Sequence, residues 1–180
     1  MQRPRRVSVV GNSGSGKSTL SKEIAGRLGC EHIELDAIHH LPNWTPIERE
    51  EMRRIVRERT EAESWVVDGN YGSLVQDIVF SRVDTVVWLD MPHRVTMSRV
   101  VRRTVGRGIL RRELWNGNRE SLRNLLKTEP EENIVLWAWT QRNKYRTKYR
   151  TAKDDAANAH LNWVHLTSPG DVRDWIATIS

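Results

Sequence analysis

Short apolar runs alternate along this chain with longer stretches in which apolar residues return every three or four positions. Arg6-Val7-Ser8-Val9-Val10 is β-branched, ends at a glycine and predicts a buried strand. Thr19 to Leu28 predicts a helix, because Leu20, Ile24 and Leu28 are four apart. Glu31 to Leu35 predicts a second strand ending at Asp36. Pro46, with Thr45 as cap, predicts a helix that runs to about Glu63 and turns Met52, Ile55, Val56 and Arg59 towards one side. Trp65-Val66-Val67 is a third strand, closed by Asp68-Gly69-Asn70, and Gly72 to Phe80 is helical. Asp84 to Leu89 is a fourth strand ending at Asp90, and Pro92 starts a helix running to about Val105.

Beyond that point the pattern loosens. Gly106-Arg107-Gly108 opens a polar segment through Asn118, and Glu120 to Lys127 is helical. A long helix is expected from Pro130 to about Tyr149, with Ile134, Ala138, Tyr145 and Tyr149 near helical spacing. Leu161 to Leu166 is a fifth strand. Ser168-Pro169 caps and starts a last helix with Val172, Trp175, Ile176 and Ile179 inward. Five short strands, each apolar enough to be buried on both faces and each followed by a helix, predict an α/β fold with a parallel sheet between helical layers.

Composition narrows this picture without redirecting it. The 180 residues suit one domain, spanning 1–180. No stretch approaches a membrane span and no secretory leader is legible, so a cytoplasmic protein is expected. Cys30 is the one cysteine, which excludes an internal disulfide and a cysteine-built metal site. Most of the eight tryptophans fall inside strand or helix patterns, where packing explains them. The net charge of +6 favours anionic partners. Arginines gather at 94–123, and lysines and arginines at 142–153.

The chemistry is concentrated in Gly11-Asn12-Ser13-Gly14-Ser15-Gly16-Lys17-Ser18, a complete G-x-x-x-x-G-K-[ST] phosphate-binding loop. A strand before it and a helix after it provide the setting this motif needs. Glycines let successive backbone N–H groups point into one concavity, and the helix N-terminus adds to it. Lys17 then reaches the β- and γ-phosphates, and the Ser18 hydroxyl ligates Mg²⁺, with Thr19 completing the helix start. A dinucleotide loop is disfavoured, because Gly14-x-Gly16 lacks its third glycine.

Ligands of such sheets sit at the carboxyl ends of the strands. Asp36, Asp68 and Asp90 collect there with the loop. Asp68 is the candidate for the outer shell of the metal, and Asp36 for holding or deprotonating an acceptor hydroxyl. Asp90 is expected to shape or cap the next helix. Arg99, Arg103 and Arg107 recur every four residues, so they share one helix face and repel one another until an anion lies between them. Segment 106–120 then suits a lid whose Arg111, Arg112 and Arg119 close on phosphates and keep water from them.

Together these stretches resemble a P-loop kinase of the nucleoside monophosphate kinase group over nearly the whole chain. Val66-Val67-Asp68-Gly69 is similar to the strand-three Asp-Gly of adenylate kinases, and Arg99 to Arg107 to the arginines at their lid, which contact adenine and phosphates. A bacterial subgroup labelled adenylate-kinase-like or topology modulation protein is closer still. Its pattern is similar at Leu35-Asp36…Pro42-Asn43-Trp44, at Trp65 to Tyr71 and at Leu114 to Glu120. The resemblance implies a three-layer P-loop NTPase with sheet order 2-3-1-4-5, a helical region at 36–64, a lid insertion, ATP as donor and Mg²⁺ as cofactor.

Two departures bear on the acceptor. Leu35 to His40 replaces the Thr-Gly-Asp stretch at which adenylate kinases bind AMP, and Asn70-Tyr71 replaces their Phe-Pro-Arg. An aspartate after strand two resembles the residue that shikimate- and gluconate-type kinases use to hold a hydroxyl. His39, His40, Asn43 and Trp44 then fall on the acceptor side. The expectation is an ATP-dependent phosphotransferase, with Lys17, Asp36, Arg103 and Arg107 at the chemistry and Gly11 to Thr19, Arg99 and Arg103 around ATP. Its partners would be a nucleotide and a small acceptor, in a monomer or homodimer. The competing expectation is a nucleotide-dependent regulatory or nucleic-acid-associated protein, with Tyr145 and Tyr149 set among the cations of 142–150. A bare ATPase is a third.

Overall fold

The structure, a computed structural model, describes residues 3–109, 113–118, 129 and 133–179. Five strands, β1 (Arg6–Gly11), β2 (Glu31–Glu34), β3 (Trp65–Asp68), β4 (Thr85–Leu89) and β5 (Asn162–Leu166), form one parallel sheet in the order β2-β3-β1-β4-β5. Between them run the helices α1 (Lys17–Leu28), α2 (Leu35–His39), α3 (Arg49–Arg59), α4 (Gly72–Phe80), α5 (His93–Ile109), α6 (Ile134–Asp154) and α7 (Pro169–Ala177).

Alternation along the strands feeds two cores. Val7, Val9, Val66, Val87 and Leu89 pack under α1 and α7, against Leu20, Ile24, Ala25 and Ile176. Val10, Ile33, Trp65, Val67, Val86 and Trp88 pack on the opposite face, against Met52, Val56, Val75, Ile78, Val79 and Tyr149. These side chains are nearly all fully buried, each contributing roughly 1.5–3 kcal/mol. The two-faced burial is why the strands read as continuous apolar runs.

Register places the functional edge. Val9 lies opposite Asp68, Glu34 opposite Asp68, and Gly11 opposite Leu89. The carboxyl ends of β1, β2, β3 and β4 therefore meet along one rim.

Several boundaries differ from expectation. Asp36 does not end a strand: β2 stops at Glu34, and Asp36 sits in the first turn of α2, where its charge suits the helix N-terminus. Helix α3 starts at Arg49 rather than Pro46, because Pro46 is bridged to His40 and the Glu48 carboxylate caps the helix by accepting from Glu50 N–H. Helix α5 runs past the expected Val105, through Gly106, to Ile109. The buried Val100 and Thr104 anchor that helix, and Gly106 has no neighbour that demands a turn. Helix α6 continues past Tyr149 to Asp154, and Asn133 caps it. The expected helix at 120–127 lies outside the described residues. The Ser168 cap of α7 is present, in a reciprocal capping box with Asp171.

Candidate active site

The phosphate loop joins β1 to α1. Gly14 (φ +75°) must be glycine, because a Cβ there would strike the Thr96 carbonyl and lie 2.7 Å from Val100 Cγ2, both on α5. Gly16 (φ +102°) takes the left-handed conformation in which α1 begins. It supplies no side-chain cap, and the first turn holds no acidic residue. The opening N–H groups of α1 are thus left to an external acceptor. Ser15 Oγ and Asn12 Oδ1 are buried without a hydrogen-bond partner among the described residues. An uncapped helix start, a glycine cradle and an orphaned hydroxyl together fit a phosphate chain.

Two of the expected arginines already grip this loop. Arg99 Nη1 donates to the Ser15 carbonyl at 3.1 Å, and Arg103 Nη2 to Ser13 Oγ at 3.1 Å. Arg107 follows one turn later on α5, half-buried. Arg111, Arg112 and Arg119 lie outside the described residues. Lys17 Nζ donates to the Asn12 carbonyl at 3.2 Å. Burial lowers the Lys17 pKa, the charges of Asp36 and Asp68 oppose that, and Arg103 adds to it. An ammonium already destabilised in this way gains from an incoming phosphate.

Asp68 is buried at the end of β3, 3.3 Å from His32 Nε2 on β2. Ser18 and Asp68, an exposed-side hydroxyl and a buried carboxylate, provide oxygen donors of the kind Mg²⁺ takes beside substrate phosphates. Among the described residues no group of three or more His, Cys, Asp or Glu forms a metal cluster. Arg146 reaches across from α6 to Asp90, its Nε 2.8 and 3.1 Å from the two carboxylate oxygens. His165 adds a contact at 3.4 Å.

The acceptor side is assembled from three distant pieces. Tyr71, just before α4, donates its hydroxyl to Asp36 Oδ1 at 2.6 Å. The Tyr71 hydroxyl oxygen lies 3.4 Å from His40 Nε2. The His39 and Tyr71 rings are 4.7 Å apart. Segment 113–118 clasps the acceptor loop. Asn116 Nδ2 donates to the carbonyls of Ala37 (3.1 Å) and His40 (2.6 Å). Asn118 Nδ2 donates to Leu41 O (2.9 Å), and Asn118 Oδ1 accepts from Trp44 N–H (2.8 Å). The Trp115 ring stacks on His40, and Trp44 meets both edge-on. Asn43, Trp44 and Asn116 all hold positive φ, which costs a non-glycine residue roughly 1–3 kcal/mol and is sustained only by surrounding contacts.

Asn70, Tyr71, Asn116 and Asn118 had no assigned role in the sequence. Asn70 ties the start of the phosphate loop: its amide donates to Gly11 O at 2.6 Å and accepts from Gly11 N–H at 3.4 Å and from Tyr149 O–H at 2.8 Å. The available signal was a pair of polar side chains directly after a strand-ending Asp-Gly, at the rim where ligands sit. Tyr149 is buried and Tyr145 packs on the same core, so neither offers a free ring face to a base.

A parallel 2-3-1-4-5 sheet with this loop between β1 and α1 is the P-loop kinase fold of the nucleoside monophosphate kinase type. No protein-family model matches the chain. A protein of Thermococcus onnurineus (strain NA1), provisionally named adenylate kinase, is 30% identical over 76 residues, 38% of this chain and 42% of that one. The chain thus matches about two-fifths of the length of that relative. Among solved structures, shikimate kinase from Acinetobacter baumannii in complex with shikimate has a TM-score of 0.56 and 21% identity, over 97% of this chain and 90% of that one. Shikimate kinase from Bacteroides thetaiotaomicron has a TM-score of 0.55 and 16% identity, over 97% and 96%. At those identities the likeness concerns the fold. No helix among the described residues is long and apolar enough to cross a membrane.

Proposed function

We propose that this protein is an ATP-dependent phosphotransferase that moves the γ-phosphate to a hydroxyl or phosphate oxygen of a small acceptor. The observation that carries this reading is electrostatic. Lys17 of the phosphate loop feels the carboxylates of both Asp36 and Asp68, so an acceptor-side acid and a donor-side cation face one space. A bare nucleotide-binding module needs no such acid.

Residues 11–19 hold the β- and γ-phosphates with backbone N–H groups and Lys17. Arg99 and Arg103, already on the loop, draw charge off the phosphates as it builds up in transfer, and Arg107 extends that row. Mg²⁺, when bound, supplies positive charge to the phosphate oxygens; Ser18 would hold it and Asp68 would hold its waters. Asp36 accepts the proton of the attacking oxygen as that oxygen bonds to the γ-phosphorus and the bond to the β,γ-bridging oxygen breaks. Segment 113–118 shapes the acceptor end and keeps water from it.

The likeness to shikimate kinases supports a hydroxyl acceptor, and the Thermococcus relative supports a nucleotide. Tyr145 and Tyr149 pack on the core, as helical spacing predicts, so the nucleic-acid reading rests on the cations of 142–150 without them. The deciding experiment is ADP release from ATP and Mg²⁺ over nucleoside monophosphates, nucleosides, hydroxy acids and cyclitols. One acceptor raising turnover well above the acceptor-free rate is the expected result. ATP binding without stimulation by any acceptor would count against the reading.

A further inference from the structure

Tyr71 lies outside the phosphate loop, and the sequence assigned it no chemical role. Its hydroxyl is nevertheless committed to the one carboxylate placed on the acceptor side. The 2.6 Å bond to Asp36 Oδ1 is short, as expected for O–H donating to an ionised carboxylate. Because the phenolic proton points at Asp36, the phenolic oxygen is what faces His40 Nε2 at 3.4 Å. That nitrogen must then carry the His40 proton, while the buried Nδ1 has no partner among the described residues. Burial holds His40 below its ordinary pKa and so keeps the ring neutral, in the state this tautomer requires. The result is a one-way chain, His40 N–H to Tyr71 O–H to Asp36, in which each donor polarises the next.

We propose that Tyr71 is a positioning residue for phosphoryl transfer: it fixes Asp36 through Oδ1 and leaves Oδ2 to the acceptor hydroxyl, with His40 orienting Tyr71 from behind. This rests on the phosphotransferase reading above. A lone carboxylate on a five-residue helix can rotate, and it would pair with Lys17 when no acceptor is bound. The Tyr71 bond removes that freedom and holds the Asp36 carboxyl group in one orientation. A phenol is well chosen here. Burial and the Asp36 charge raise its pKa, so it remains a donor throughout the working range.

The groups that face this pair are His39 and His40 from α2, Lys17 from α1, Asp68 at the end of β3, and Tyr145 and Lys148 from α6. Lys148 lies beside Gly72, and the charges of Asp68 and Tyr145 act on Tyr71. None but Tyr71 and His40 is in hydrogen-bond contact with the chain, so removing the phenolic oxygen isolates its effect.

The test is the Asp36 carboxyl-carbon NMR signal in the acceptor-free protein at neutral pH, wild type against Tyr71→Phe. The expected result is a displaced and broadened signal in the variant, because the hydrogen bond that holds the carboxylate in one orientation is gone. An unchanged signal overturns the proposal. Should the variant fold poorly, the Tyr71 ring carbon of the wild type gives a second measurement. It should stay protonated above pH ~10, where exposed tyrosines titrate; ordinary titration overturns the bond. With the acceptor found by the panel above, kcat should fall about tenfold in Tyr71→Phe while the KM for ATP holds, since a misplaced base slows transfer and leaves the donor end alone; an unchanged kcat overturns the positioning role. Asp36→Asn separates the two readings. Full transfer by that variant removes Asp36 from the chemistry and the positioning role with it, even where the NMR signal changes.

Discussion

The two ends of the site lie on one sheet edge but are built in opposite ways. The donor end is nearly one stretch of chain, residues 11–19, whose unusual backbone falls on glycines that adopt it at little cost. The acceptor end joins 36–44, 70–71 and 113–118, and its positive φ angles fall on Asn43, Trp44 and Asn116, where they are costly. Four side-chain amide bonds from Asn116 and Asn118 hold it against that strain, each worth about 1 kcal/mol net. A phosphate chain is the same in every nucleotide, so its cradle can be a standing feature of the backbone. An acceptor is particular, and its pocket depends on distant side chains meeting.

Lys17→Ala tests the donor end most severely. Turnover should fall by about 10³-fold or more, since a charge aimed at the transferring phosphate is lost. Thermal stability should be kept, because the ammonium is already disfavoured by its burial. Comparing melting curves with single-turnover rates checks both halves, and wild-type turnover in the variant would break the assignment.

Asp36→Asn strikes the acceptor end alone. A loss of about 10²–10⁴-fold in kcat is expected from removal of a general base, with ATP affinity little changed. Equal losses in kcat and ATP binding would mean that the two ends are not separable.

A smaller effect should come from Asn118→Ala. It deletes the bonds to Leu41 O and from Trp44 N–H and leaves both groups unpaired, a cost of about 1–3 kcal/mol. Acceptor KM should rise about tenfold while ATP KM holds, as steady-state kinetics in both substrates will show. A rise in ATP KM alone would place segment 113–118 at the donor end after all.

The smallest effect is in pH. Burial lowers the pKa of His39 and His40 from the ordinary 6.5, with His40 also acting on His39 and the Asp36 charge opposing. The unfolded chain therefore binds more protons than the folded one just below that value. Stability is full above pH 6.5 and is lost as pH falls from there towards the folded pKa values. Denaturant titrations from pH 7.5 to 5 should show this decline, and His39→Gln with His40→Gln should flatten it.

Particular residues show what was legible beforehand. The five strands and the helix at Gly72–Phe80 follow from apolar period and turn residues, which are local properties. Arg99 and Arg103 came from four-residue spacing and do meet the loop. Arg146, the partner of Asp90, was not legible, because it comes from a helix 56 residues later. Segment 106–120 reads as a lid; its glycines and asparagines signalled a turn but not that Asn116 and Asn118 would dock on the acceptor loop. Pro46 carried a sound helix-start signal that the bridge to His40 overrode.

By itself the sequence determined the phosphate loop, the helix that follows it and the buried parallel sheet that presents it. Each is encoded in adjacent residues or in a short period, and backbone sterics and burial act at that range. Only the tertiary structure decided that Tyr71 serves Asp36, that Asn70 ties down Gly11, and that Asn116 and Asn118 close the acceptor loop. Those bonds span 35, 59, 76 and 77 residues of chain. A side-chain amide or phenol has no preferred partner until packing brings one within about 3 Å of it.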